Sequence, residues 1–337
     1  MIQIKMPTYD ILIQENGLSL LAGQLKSFYA LSTLYVITDE NVYKLYKETF
    51  ISALAEYEIH FVVNKAGEKH KSMETYHHTI STLIEKKIRR HHLIVSLGGG
   101  VVGDLAGFVA ATLYRGMSYI QIPTTLLAQV DSSIGGKVGI DLEEGKNLVG
   151  SFCNPRFVLI DPMFLKTLSY KEYANGLAEM IKAGLVGDAN LFEIIDQKHL
   201  IGCKEIAMAI EVKKALVLID PFDKKERMFL NFGHTFGHAI EKKHHYATYK
   251  HGEAISYGML IALKVGISHG KTPPFLYDRL KALLIEKGLV QEPLLNMEDY
   301  LDAIENDKKQ SSDGLHFVII EDIGKPNILV MKDGDMR

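Results

Sequence analysis

Short runs of consecutive apolar residues alternate with longer stretches of helical period over the first half of the chain. TLYVITD (33–39), EIHFVVN (58–64), HHLIVSL (91–97), MSYIQIP (117–123) and RFVLID (156–161) each read as strands. Between them lie amphipathic stretches such as 72–90, where Thr75, Ile80, Leu83, Ile84 and Ile88 share a face. Strands that alternate with helices predict βαβ units and a mostly parallel sheet. The opening stretch, MIQIKMPTYDILIQ, alternates apolar and polar positions and predicts a strand. After about residue 168 the period changes. Segments 171–187, 189–217, 232–244, 252–269, 274–288 and 298–305 predict helices, and strand-like text returns only at HFVIIE (316–321) and NILVM (327–331). The expected fold is α/β: an N-terminal Rossmann-like, mostly parallel sheet domain over 1–168, then an all-helical domain over 169–337, with the boundary in LKTLS (165–169).

Composition narrows the function classes. A chain of 337 residues is longer than one core usually fills, so two domains are the default. With 38 basic and 41 acidic residues the net charge is −3, which argues against a general nucleic-acid binder. Cys153 and Cys203 are the only cysteines, and neither sits in a CxxC pair. That rules out a disulfide framework, makes a thiolate metal site an unfavoured reading, and fits a reducing compartment. The N-terminus lacks the continuous apolar core of a signal peptide, and no apolar run is long enough to span a bilayer. The expectation is a cytoplasmic protein with no membrane partner.

SLGGGVVGDLAG (96–107) follows an apolar strand and precedes a helical run, and Gly98, Gly100 and Gly103 satisfy G-x-G-x-x-G. Without side chains, backbone amides at a helix start can approach a pyrophosphate, and the helix dipole favours the anion. The same spelling also serves a tight strand-to-helix turn with no ligand. No acid follows about 20 residues later, as the usual dinucleotide fingerprint asks. Asp39, at the end of an earlier strand, is the alternative ribose partner.

LNFGHTFGHA (230–239) places His234 and His238 four residues apart, on one helical face. GLAEMIKAG (176–184) places Glu179 and Lys182 on one face of an otherwise apolar helix, where a carboxylate needs a partner. His251, in KHGEA, opens the next helix. Three His/Glu ligands with an open position make a catalytic zinc-type site; two satisfied core histidines are the plain alternative. The adjacent pairs His77–His78, His91–His92 and His244–His245 point apart on a helix and read as surface or strand-end residues. DSSIGGKVGIDLEEGKN (131–147) reads as a glycine-rich loop with Asp131, Lys137, Lys146 and Asn147. Its lysines could approach phosphate as mobile point charges or be plain solvated side chains. Arg115 and Arg227 carry no signal alone.

Together, SLGGGVVGDLAGFVAATLYRG, IPTTLLAQVDSSIGGK, GKNLVG, GLAEMIK, LNFGHTFGHA and HGEA, in this order, resemble the 3-dehydroquinate synthase family of the shikimate pathway, within the sugar phosphate cyclases. The resemblance runs from about residue 36 to 265 and more thinly to DKK (307–309). HHYATYK before His251, SSDG after DKK, the C-terminal tail and the N-terminal strand depart from it. It implies an NAD-binding α/β domain and a helical metal-binding domain with the active site between them. It also implies conversion of 3-deoxy-D-arabino-heptulosonate 7-phosphate to 3-dehydroquinate and phosphate, through oxidation, phosphate elimination, reduction and intramolecular aldol closure.

The resemblance further implies residue roles. Glu179, His234 and His251 would hold a divalent metal, zinc or cobalt. Asp39, Asn41, Glu68, Lys71, Gly99, Gly100, Val101, Asp104, Thr124 and Thr125 would lie along NAD, with Thr167 near it. Lys182, Lys213, Arg227 and Asn231 would meet the substrate's carboxylate and hydroxyls. Lys137, Asn147, His238 and one of Lys308–Lys309 would face the phosphate, and Asp131 and Lys146 the reacting hydroxyls and nicotinamide. Arg115 would reach the phosphate held by a neighbouring subunit, which implies a homodimer. Three rivals stay open. Another sugar phosphate cyclase acting on a substrate without the carboxylate would not need both Lys213 and Arg227. A metal-dependent alcohol dehydrogenase would release NADH stoichiometrically. A non-catalytic NAD-binding or scaffold protein would not need the Glu179, Lys182, His234, His238 and His251 set.

Overall fold

A computed structural model of the chain describes residues 1–197, 201–220, 226–244, 248–300 and 315–331. The chain divides into two compact units, Met1–Leu168 with Gly202–Ala207, and Ser169–Ile201 with Met208–Arg337.

In the first unit a seven-stranded sheet forms from β1 (Ile2–Lys5), β2 (Asp10–Ile13), β3 (Thr33–Asp39), β4 (Glu58–Asn64), β5 (Leu93–Gly98), β6 (Tyr119–Pro123) and β9 (Phe157–Ile160). Their order is β1-β2-β9-β6-β5-β3-β4. Only the β1–β2 pair is antiparallel; the remaining pairs run parallel. The opening stretch is therefore two strands and not one: the chain reverses between Met6 and Tyr9, where the Met6 amide donates to the Tyr9 carbonyl at 2.9 Å.

Successive side chains of a strand face opposite sides, and here both sides are covered, which explains the continuous apolar runs. Leu34, Val36, Leu93, Val95, Ile120 and Ile122 join one core with Leu21 and Phe50, from α1 (Leu18–Lys26) and α2 (Glu40–Ala53). Tyr35, Ile37, Ile94 and Tyr119 join the other with Leu83, Leu105 and Val109, from α3 (Met73–Glu85) and α4 (Gly100–Thr112). The helix predicted over 72–90 stops early because Lys87 takes a left-handed φ of 62°, after which Ile88 turns into the core at 0% exposure. The segment read as a glycine-rich loop is a hairpin, β7 (Lys137–Leu142) with β8 (Gly145–Phe152). Gly139 faces Gly150 across it, so the glycines that suggested a loop allow two strands to approach closely.

The second unit is built from α5 (Tyr170–Gly187), α6 (Ala189–Asp196), most of α7 (Cys203–Ile219), α8 (His234–Lys243), α9 (His251–Ser268) and α10 (Pro274–Glu286). β10 (Leu315–Asp322) and β11 (Lys325–Met331) form an antiparallel hairpin, so this unit is helical apart from that pair. The single helix predicted over 189–217 is two helices, with Ile201 and Gly202 outside both. Of the helix predicted over 298–305, the described part is the 3-10 turn Met297–Tyr300; the rest lies outside the described residues. Among the described residues no helix is long and apolar enough to cross a membrane. Both cysteines are free thiols.

Candidate active site

Three elements of the second unit bring the metal-type residues together. α5 is capped by the Ser169 side chain and is almost wholly buried from Ala174 to Val186, including Glu179 and Lys182. Gly233, in the left-handed region at φ 80°, starts α8 at His234. His251 opens α9, whose first turn is held by the Lys250 amide donating to Glu253 Oε2 at 2.7 Å. Close packing sets the spacing. A Cβ on Gly258 would lie 1.9 Å from the Gly233 carbonyl oxygen, so α8 and α9 touch backbone to backbone. The Gly252 amide donates to Asn175 Oδ1 at 2.5 Å, which ties the start of α9 to α5.

The outcome is a convergent cluster. Glu179, 3% exposed, places Oε1 3.3 Å from His251 Nε2 and 3.6 Å from His234 Nε2. Its Oε2 is 2.5 Å from Lys182 Nζ. One ligand atom from each of Glu179, His234 and His251 lies within 4.8 Å of the others, a spacing that suits one divalent ion. Burial works against the Glu179 charge, but Lys182 and the two imidazoles outweigh it and hold the carboxyl well below its usual range. Burial and the Lys182 ammonium push His234 well below the ordinary imidazole value, leaving it neutral with a lone pair to offer. Burial opposes charge on His251 too, yet Glu179 and Glu241 raise it to about 9. Anionic Glu179 and neutral His234 are the forms in which these groups bind a divalent cation, and binding at His251 would displace its proton and leave both rings neutral. His238 lies one turn along α8, exposed, with its ring 5.3 Å from His234 and 6.4 Å from His251. Lys213 on α7 and Arg227 are buried at 8% and 4%, while Asn231 ends the 3-10 turn Glu226–Asn231 and is exposed. Lys308 and Lys309 lie outside the described residues.

In the first unit β6, β5 and β3 are neighbours, so their carboxyl ends share one edge of the sheet. Gly99 alone separates β5 from α4, and no side chain caps that helix start. The first amides of α4 suit an anion, which is the fit a pyrophosphate requires. Thr124 donates its amide to the Gly98 carbonyl at 3.0 Å, and Thr125 Oγ1 accepts from the Ala128 amide at 3.2 Å. Asp39 ends β3 and caps α2, its Oδ1 accepting from the amides of Asn41 and Val42. Asp131 sits in the π-helical turn Ala128–Ser132. The Thr167 hydroxyl bonds to Tyr46.

Lys71 is not an open side chain but the hub of a buried network. At 4% exposure, its Nζ lies 2.7 Å from Asn147 Oδ1, 3.1 Å from Glu68, 3.2 Å from Asp104 and 3.4 Å from Asp141. Burial opposes its charge, but the three carboxylates raise its pKa above the usual lysine value. Burial in turn raises Asp104 to about 6 despite Lys71. Lys146 on β8 lies 3.8 Å from Glu68, and Lys137 opens β7 exposed. Arg115 is exposed beyond the far end of α4, about 20 Å from the glycine loop at 1.5 Å per residue. Tyr114, Arg115 and Gly116 all have positive φ there, at 52°, 62° and 115°.

Asp141 and Glu241 enter these networks without having been singled out in the sequence. Asp141 accepts from the Asn147 amide at 2.8 Å and donates its own amide to the Lys71 carbonyl at 2.7 Å. Strand alternation marks neither contact. For Glu241 the signal was present, three residues after His238 and seven after His234.

Family models described as 3-dehydroquinate synthase N-terminal and C-terminal match residues 61–175 and 176–310. The 3-dehydroquinate synthase of Clostridium kluyveri is 41% identical, covering 98% of this chain and 95% of its own. That of Clostridium acetobutylicum is 42% identical over 94% and 92%. A solved structure of 2-epi-5-epi-valiolone synthase from Streptomyces hygroscopicus subsp. jinggangensis, with NAD+ and Zn2+ bound, is similar at a TM-score of 0.86 and 26% identity, covering 98% of this chain and 95% of that one.

Proposed function

Because this chain belongs to the 3-dehydroquinate synthase family, we propose that Glu179, His234 and His251 hold the divalent metal, zinc or cobalt, of an NAD-dependent carbon–oxygen lyase. The enzyme converts 3-deoxy-D-arabino-heptulosonate 7-phosphate to 3-dehydroquinate and phosphate. When bound, the metal supplies Lewis-acid stabilisation to a substrate oxygen, and NAD supplies a reversible hydride acceptor that is not consumed overall.

The chain's own groups bind, orient and neutralise. The first unit holds NAD with Gly99, Gly100 and Val101 at the pyrophosphate and with Asp39, Asn41, Thr124, Thr125 and Thr167 around them. Lys71 keeps Glu68, Asp104 and Asn147 in place, since its ammonium has three donors and four acceptors within 3.4 Å. Lys182 occupies Glu179 Oε2 and so leaves Oε1 for the metal. Lys137, Asn147 and His238, with Lys308 or Lys309, meet the phosphate, whose departure needs neutralised charge. The elimination proton goes to the departing phosphate, which His238 hydrogen-bonds. Lys213 and Arg227, both buried cations, meet the carboxylate, with Asn231 on a hydroxyl. Asp131 and Lys146 border the reacting hydroxyls and the nicotinamide. Arg115 reaches the phosphate of a second subunit in a homodimer, and the enzyme works in the cytoplasm.

The observation that carries this reading is the convergence of Glu179, His234 and His251 on one point. Purified protein given Zn2+, catalytic NAD and the heptulosonate phosphate is expected to release inorganic phosphate and form 3-dehydroquinate with no accumulation of NADH. Stoichiometric NADH without phosphate release would identify a dehydrogenase instead.

A further inference from the structure

Glu241 is 3% exposed and lies on the same face of α8 as His234 and His238. Across from that face stands His251, whose ring has two different neighbours. Nε2 is 3.3 Å from Glu179 Oε1, and Nδ1 is 3.6 Å from Glu241 Oε2. His234 repeats the arrangement: Nε2 is 3.6 Å from the same Glu179 oxygen, and Nδ1 is 3.3 Å from the Phe232 carbonyl. Both rings thus offer Nε2 to one point and turn Nδ1 toward an acceptor.

An imidazole that binds a metal through one nitrogen carries its proton on the other. An acceptor on that proton fixes the tautomer and the ring plane. For His234 the acceptor is a neutral carbonyl. For His251 the group facing Nδ1 is a buried carboxylate at 3.6 Å, which on closing to hydrogen-bond distance would also make the ring a better donor of its lone pair. The His251 ring stands between Glu241 and Glu179, so Glu241 is outside the ligand set and acts through the ring.

We propose that Glu241 is a positioning residue of the metal centre: it accepts the Nδ1 proton of His251, fixes the ring with Nε2 toward the metal, and raises affinity for a divalent cation. This rests on the metal reading of Glu179, His234 and His251. The test is Zn2+ affinity of the full chain by competition with a chromophoric chelator, together with the visible spectrum of the Co2+-loaded protein. Glu241→Ala is expected to weaken Zn2+ binding about 10- to 100-fold and to alter the Co2+ bands. Glu241→Gln, which keeps an acceptor oxygen but loses the charge, is expected to fall between Glu241→Ala and the unchanged protein. A purely structural Glu241 would lower the melting temperature of either variant and leave affinity and spectrum alone; that result overturns the proposal. Should Glu241→Ala not fold, unchanged affinity in Glu241→Gln overturns it equally. His251→Ala separates the two levels. If the unchanged protein takes up no Zn2+, or His251→Ala binds it as tightly, the metal reading itself falls and Glu241 with it.

Discussion

Asp104 shows how one side chain's surroundings become a measurable property of the whole chain. Its carboxyl, at 3.8 in an ordinary setting, is raised by burial to about 6 even with Lys71 beside it. Between about pH 4 and 6 the folded protein holds a proton that the unfolded chain gives up, so stability falls as pH rises across that window. Asp104→Asn has no such proton to lose. Without added NAD, its melting temperature relative to the unchanged protein is expected to climb from about pH 4 to about pH 7, and then level off. A pH-independent difference would contradict the assignment. His234, Glu179 and Lys182 were legible because helical spacing put them on shared faces. The Lys71 network was not, because residues 68, 104, 141 and 147 come from four separate elements and meet only through tertiary packing.

Among the elements, the α8–α9 crossing places two of the three residues proposed to hold the metal. His234 opens one helix and His251 the other, and their rings lie 5.2 Å apart because the Gly258 and Gly233 backbones touch. Gly258→Ala places a Cβ where the Gly233 carbonyl stands, and the helices must separate. Overpacking of this kind costs about 1–3 kcal/mol, so the expected outcome is a lowered melting temperature together with weakened Zn2+ binding. Lowered stability with unchanged Zn2+ affinity would show that the crossing does not set the ligand spacing. The elements are unevenly legible in the sequence. Strands β3 and β4 match the predicted runs at both ends; β3 is covered on both faces and buried at its five central positions, whereas β4, at the sheet edge, buries only Val62 and Asn64. The β7–β8 hairpin was hidden by its glycines, and the α6–α7 break by a run whose one strong interruption is Gly202.

At the scale of the molecule, the change of hydrophobic period near residue 168 makes the sheet-then-helices order legible in the residue pattern itself. Spacing alone leaves the centre open between a metal site and satisfied core histidines, and the family resemblance names Glu179, His234 and His251; their convergence comes from folding. Zinc content and phosphate release, measured on one preparation each of the unchanged protein and His234→Ala, test that centre most directly. The account predicts one Zn2+ per chain and turnover in the first. His234→Ala is predicted to lose both the metal and the activity, because metal assistance is worth several kcal/mol. Normal zinc content and normal phosphate release in His234→Ala would contradict the account.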